Sequence, residues 1–211
     1  LFRLERTGDD RFKMRQFTRQ KDDPYSLSYN SIYTIFQDSK NRIWIGCYGG
    51  GLNLIEETQE GDIRFLHSGN KLTGYSKDRF AKVRYITEAN RILLVGTTEG
   101  LLTFSSEFTQ PEQIEFYRNI RIPDKVSSLC SNDVIYIYTD SRKDTYVLSF
   151  TGGLNKILSE NLLSDQIEFK TYTTQNGLPS DLVESMIEDN KGNLWIIAEN
   201  ALACFHPDKE T

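Results

Sequence analysis

The sequence predicts an all-β fold: a β-propeller fragment of about four four-stranded antiparallel blades plus part of a preceding blade. Three observations predict it. Residues 22–55 overlay residues 124–157 without a gap at an offset of 102, with 12 of 34 positions identical. A leucine associated with each glycine-rich or polar turn recurs at Leu1, Leu52, Leu101, Leu154 and Leu202, at intervals of 51, 49, 53 and 48 residues. A period near fifty marks propeller blades or a solenoid. Each period then reads as short strands rich in β-branched and aromatic residues, broken by polar turns every eight to twelve residues or so, which selects the blade. No window of a dozen or so residues carries helical apolar spacing, so helices are expected to be few.

The whole chain, 1–211, reads as one propeller segment. Residues 1–17 are the end of a blade: Leu1-Phe-Arg-Leu-Glu5 matches Leu52-Asn-Leu-Ile-Glu56, a third strand, and 11–17 supplies a fourth. The first full blade covers 30–67. Its inner strand at 31–37 meets the polar turn Asp38-Ser-Lys-Asn41, a second strand runs over 42–47, and Gly49, Gly50 and Gly51 turn the chain into a third at 52–56. A fourth strand is expected at 62–67. The next blades cover 82–118, 132–170 and 182–205. Residues 31–45 overlay 182–196, so Asp38 meets Asp189 and Trp44 meets Trp195. The second blade is the weakest copy, with Leu94-Val-Gly-Thr97 in place of Trp44-Ile-Gly-Cys47. Innermost strands are predicted at 31–37, 82–88, 132–139 and 182–188, aligned on the turn acids Asp38, Glu88, Asp140 and Asp189.

The opening unit lacks its inner strands and the last stops near Phe205 after a third strand. The segment is therefore expected to be an excerpt of a larger propeller, and seven such blades would need roughly 350 residues. Alternatively the two incomplete units complement each other and close a ring of four blades, at the low end of the range of about 4 to 8. Unpaired strand edges and an uncovered apolar face recruit partners, so self-association or closure is expected.

Composition sets limits. The chain is 38% hydrophobic and 12% aromatic with a net charge of −5, and no apolar run approaches membrane-spanning length. Basic and acidic residues are interspersed, which argues against a nucleic-acid surface. Three cysteines at wide spacing, Cys47, Cys130 and Cys204, make no disulfide framework and read as small buried thiols.

Repeated residues first serve the scaffold. Asp38, Asp140 and Asp189 share one turn, where a carboxylate accepts backbone N–H groups two residues on. Trp44, Tyr146 and Trp195 share one blade position, which suits packing between blades. Gly49 to Gly51, Gly100 and Gly152-Gly153 are expected to supply positive φ, and a strand rather than a phosphate-binding helix follows them. His67 and His206 have no metal-ligand spacing around them, so no metal, no cofactor and no catalytic residue is predicted. Paired carboxylates for glycoside cleavage would have to meet in space, where sequence does not place them.

Binding is sought where the repeats differ. The loops entering the inner strands, at 21–29, 68–80, 120–131 and 175–181, vary from blade to blade and should gather at one end of the propeller. In or beside them stand Tyr25, Tyr29, Tyr75, Arg79, Arg121, Asn132 and Asn176, aromatic rings with guanidinium and amide donors that suit a sugar.

Residues 17–32, 35–52, 172–180 and 187–195 resemble the two-component regulator propeller repeat. The first copy reads Asp38-Ser-Lys-Asn-Arg-Ile-Trp-Ile-Gly46, with Gly51-Leu52 following, and the last reads Asp189-Asn-Lys-Gly-Asn-Leu-Trp-Ile196 before Ile197 replaces the glycine. The second copy has Leu94 for the tryptophan, and the third has Tyr146 and lacks the glycine. The resemblance implies the periplasmic sensor portion of a hybrid two-component regulator of Bacteroidetes type, one that binds an oligosaccharide or other small ligand and pairs as a homodimer. It implies no catalysis by the propeller, no nucleic acid bound by this segment, and membrane attachment only through downstream parts. The alternative class is a glycan-active propeller enzyme, a lyase or glycosidase. A kinase core downstream would decide for the sensor, and oligosaccharide turnover by the segment would decide for the enzyme.

Overall fold

The computed structural model describes residues 1–8 and 10–207, and every β-sheet in it is antiparallel. The hairpin β1 (Phe2–Arg6) and β2 (Phe12–Gln16) comes first. Blade one is β3 (Ile32–Gln37), β4 (Ile43–Cys47), β5 (Gly51–Glu57) and β6 (Ile63–His67). Blade two is β7 (Val83–Ala89), β8 (Ile92–Thr97), β9 (Gly100–Ser105) and β10 (Tyr117–Asn119). Blade three is β11 (Val134–Thr139), β12 (Thr145–Ser149), β13 (Gly153–Ile157) and β14 (Phe169–Tyr172), and blade four is β15 (Val183–Glu188), β16 (Leu194–Ala198) and β17 (Ala201–Phe205). Each sheet is a meander in chain order, as short hairpin connections require. Helix among the described residues amounts to two 3-10 turns, Pro111–Gln113 and Thr174–Asn176.

The first strands of the four blades, β3, β7, β11 and β15, contact one another in succession and form the inner edge of the stack. Because side chains alternate across a strand, each blade offers one apolar face forward and one back. Trp44, Leu52, Leu54 and Leu66 of blade one meet Val83, Ile86, Leu93, Val95 and Phe104 of blade two. Leu94 and Leu101 of blade two meet Val134, Ile137, Val147 and Phe169 of blade three. Tyr146, Leu148 and Leu154 of blade three meet Val183, Met186, Leu194 and Ile196 of blade four. The back of blade one, with Leu27, Ile45 and Phe65, is packed by Leu1 and Phe17 of the opening segment.

The repeated aspartates are turn braces. Asp38 accepts from the backbone N–H of Lys40 (3.0 Å) and Arg42 (2.9 Å), from Arg42 Nε (2.7 Å) and from the indole of Trp44 (2.9 Å). Asp189 repeats the pattern with Lys191, Asn193 and Trp195. Asp140 keeps the backbone bonds, to Arg142 and Asp144, but has a tyrosine where the others have an indole. Trp44 is fully buried and packs edge-to-face on Phe104 of blade two, with ring centroids 5.1 Å apart. Tyr146 is equally buried, whereas Trp195 is 37% exposed on the forward face of blade four.

Three expectations are corrected. Glu88 is not the turn acid of blade two: strand register places Ala89 at the site of Asp38, and a tight turn through Asn90 (φ 51°) and Arg91 (φ 63°) replaces the aspartate turn. Glu88 instead reaches back to blade one, accepting from the backbone N–H (2.6 Å) and hydroxyl (2.7 Å) of Ser39, and Glu188 does the same to Ser141. Second, Gly50 and Gly152 do not have positive φ, although Gly49, Gly51, Gly100 and Gly153 do. They are held by crowding: a Cβ on Gly50 would lie 2.4 Å from Ser28 Oγ, and one on Gly152 would lie 2.6 Å from Cys130 Sγ. Third, the alternative of a closed four-blade ring is not met among the described residues, where β1–β2 and β15–β17 are separate sheets.

Candidate functional site

The loops that enter the inner strands lie at one end of the blades, beside the turns between second and third strands. Two of them are braced alike. Asn30 accepts from the Arg19 N–H (2.6 Å), and Asn132 accepts from the Arg121 N–H (2.7 Å). Ser26 and Ser128 hydroxyls accept from Gln20 and Ile122 N–H, and the buried Asn53 and Asn155 carbonyls accept from Ser28 and Cys130 N–H. The residues Ser26/Ser128, Asn30/Asn132 and Asn53/Asn155 are among the identities of the overlay at offset 102, and they shape loops whose remaining side chains differ.

Three open clefts lie among these loops. The first, about 480 Å³, is walled by Arg19, Lys21, Asp23, His67, Lys77 and Asp78, with Tyr75 at its base. A second of about 480 Å³ is lined by Tyr75, Arg79, Phe116 and Arg118, and a third of about 340 Å³ by Arg121, Lys125 and Val126. In the first, the His67 ring accepts from the Gly69 N–H at its Nδ1 (3.0 Å). Burial, then the positive charges of Lys77 and Arg19, hold its pKa below the ordinary value, so His67 is a neutral ring at pH 7. His206 is paired with Asn193 (2.8 Å) on blade four, remote in sequence from these loops.

The candidate residues separate. Arg79 and Arg121 are exposed in the second and third clefts. Tyr75 lines the first two clefts from below: it is 4% exposed, and its hydroxyl donates to the Phe80 carbonyl (2.6 Å). Tyr25 lies half-buried under Arg64, whose guanidinium is 5.1 Å from its ring, and lines none of the three clefts. Tyr29 is 40% exposed beside the Gly49-Gly50 turn, also outside them. Asn132 is the loop brace just described. Asn176 is spent locally, its carbonyl accepting from the Thr173 N–H (3.1 Å) in a capping box.

Sequence reasoning passed over the start of the inner strands. All four carry a β-bulge in which one extra residue interrupts the ladder: between Ile32 and Thr34, Val83 and Tyr85, Val134 and Tyr136, and Val183 and Ser185. A bulge re-aims its side chain. The bulged residues are Tyr33, Arg84, Ile135 and Glu184, different in every blade. That divergence inside otherwise aligned strands was the available signal. Around the first two, Tyr33 stacks on Tyr48 with centroids 4.6 Å apart, and Arg84 makes a two-point ion pair with Asp133 (2.5 and 2.8 Å) that ties blade two to blade three.

Among the described residues no group of three or more His, Cys, Asp or Glu side chains gathers as a metal site. Burial pushes the Cys47 and Cys130 thiols up, against the hydrogen bonds they receive, so neither is a ready nucleophile.

Residues 26–49 and 177–200, in the first and last of the four blades, match the family described as two component regulator propeller. No curated protein matches. Among solved structures, the extracellular domain of one hybrid two component system from B. thetaiotaomicron aligns at 22% identity with a TM-score of 0.66, covering 86% of this chain and 24% of that one. A second such domain from B. thetaiotaomicron aligns at 19% identity and 0.62, covering 88% and 23%. Virginiamycin B lyase from S. aureus aligns at 14% identity and 0.53, covering 99% and 58%. These likenesses establish the propeller fold, and the chain spans about a quarter of the length of the two-component structures it matches.

Proposed function

We propose that this chain of two-component regulator propeller repeats is the ligand-sensing, periplasmic portion of a hybrid two-component sensor, and that its ligand is a saccharide. One observation carries the reading. The repeated polar residues are consumed inside the scaffold, while the residues that differ between blades converge on clefts at a single end. Such a division leaves recognition to the loops. Open clefts of about 480 Å³, walled by Arg, Lys, Asp and amide groups over an aromatic floor, have the size and polarity of an oligosaccharide site. The repeat family supports the sensor reading over the enzymatic one, and His67, Cys47 and Cys130 are engaged in hydrogen bonds.

Signalling through dimer geometry requires that the ligand bind one arrangement of two copies better than another. No helix among the described residues is long and apolar enough to cross a membrane. Membrane attachment belongs in this reading to other parts of the protein.

Titration calorimetry of the segment against a panel of oligosaccharides is the test. At least one saccharide should bind, and Arg79→Ala or Lys77→Ala should weaken it about tenfold or more, on the scale of one lost charge-assisted contact. Release of new reducing ends, or of unsaturated products, would instead establish the enzyme. No binding across the panel would sink the sensor reading for a saccharide.

A further inference from the structure

Tyr33, the bulged residue of β3, is 55% exposed. Its ring lies on Tyr48 at 4.6 Å with an interplanar angle of 21°. Lys82 Nζ stands 5.2 Å from the centroid of Tyr48, and Arg84 Cζ stands 5.6 Å from it. Tyr29 lies against the turn that follows: a Cβ on Gly49 would meet its ring at 2.8 Å. Tyr33 and Tyr48 thus make a short lane of stacked rings, with two cations at Tyr48. The charges are unequal. Arg84 is neutralised by Asp133, while Lys82 is exposed and makes no ion pair among the described residues.

We infer that this lane is a binding subsite for an anionic saccharide, a sugar bearing a carboxylate or a sulfate ester. The inference rests on the saccharide-sensing reading and narrows it. A pyranose offers a flat C–H face to a tyrosine ring, and an acidic substituent at its edge then reaches the Lys82 ammonium, where a charge-assisted bond forms beside a partly desolvated aromatic wall. The Arg84–Asp133 pair carries no net charge, so Lys82 is the cation that separates an acidic sugar from a neutral one. A neutral sugar would gain the stacking and leave Lys82 in water.

The experiment is calorimetric titration of the segment with three probes: a galacturonate oligomer, a sulfated galactan oligomer and a neutral cello-oligosaccharide. One or both acidic probes should bind about tenfold tighter than the neutral one, and the preference should shrink as salt is raised. Whichever acidic probe binds better identifies carboxylate or sulfate as the group read. Lys82→Met should abolish the preference. Tyr33→Ala should weaken the acidic probe by about tenfold or more, and Tyr33→Phe should retain it, with melting temperature recorded to show that each variant is folded. Equal binding of acidic and neutral probes, or a preference unchanged by Lys82→Met, overturns the inference and leaves the sensing reading standing. Failure of all three probes, and of the wider oligosaccharide panel, removes both.

Discussion

Trp44 and Trp195 are the same residue of the repeat with different surroundings. Each indole N–H donates to its turn aspartate, but Trp44 is sealed under blade two and Trp195 keeps a solvent-facing side. Trp44→Ala should therefore cost about 3 to 5 kcal/mol, as lost burial and an unfilled cavity add. Trp195→Ala should cost clearly less. Urea unfolding of both variants checks this, and equal losses would contradict packing between blades as the role of the site. Asp38 carries a second prediction. Burial raises its pKa, but the bonds from Trp44 and Arg42 outweigh that and hold it below the ordinary carboxylate value; Asp189 is lowered by the same kind of donors, Trp195 first. A depressed folded pKa contributes stability above the unfolded value near 3.9, and that contribution is lost as pH falls through the folded value. Stability should thus hold through mild acid and fall below about pH 4, and Asp38→Asn should flatten that fall. Asp38→Ala should cost about 1 to 3 kcal/mol at neutral pH, because the buried Trp44 N–H loses its acceptor.

Blades are joined by devices that alternate along the stack. Ser39 of blade one is clamped by Glu88 of blade two, and Ser141 of blade three by Glu188 of blade four. Arg42 adds a bond from Nη2 to the Ser106 carbonyl (2.7 Å) while lying over Phe108 at 3.9 Å. The second strands set how closely blades approach. Gly46 leaves room for Val83 of the next blade, and Gly96 does the same for Val134; a Cβ at Gly46 would lie 2.5 Å from Val83 Cγ1 and from Thr34 Cγ2. Blade three has Leu148 there and packs against Val183 instead. Gly46→Ala should consequently destabilise by about 1 to 3 kcal/mol through overpacking, since both neighbours are β-branched and stiff at χ1. Thermal unfolding measures it, and an unchanged or raised Tm would show that the blades can slide apart without cost.

At the scale of the molecule, two apolar faces stand uncovered in the monomer. Phe2, Leu4, Phe12 and Met14 are each more than half exposed on the outer side of the β1–β2 hairpin, and Ile187, Ile197 and Leu202 lie with Trp195 on the forward side of blade four. Every interior junction of the stack joins one forward face to one backward face, so these two are complementary by the rule the chain already uses. The isolated segment should self-associate at micromolar concentration, and Leu4→Glu or Leu202→Glu should return it towards monomer. Analytical ultracentrifugation decides the matter: a monodisperse monomer across that range would show that the exposed faces do not drive association.

The sequence by itself determined the repeat, the strand order within each blade and the roles of Asp38, Asp140 and Trp44. All of these depend on short-range periodicity and on turns whose geometry a few residues specify. Its alignment of Glu88 with Asp38 went one residue astray, because a turn shorter than its counterparts shifts the register without leaving a mark on composition. Only the tertiary structure decided that Tyr75 is a wall, that Asn176 is a cap and that Tyr33, Tyr48, Lys82 and Arg84 meet. Tyr33 and Arg84 belong to different blades, and each is turned by a bulge that no local pattern announces. Burial and convergence come from how the blades stack, and stacking brings together residues about fifty positions apart whose identities say nothing of one another.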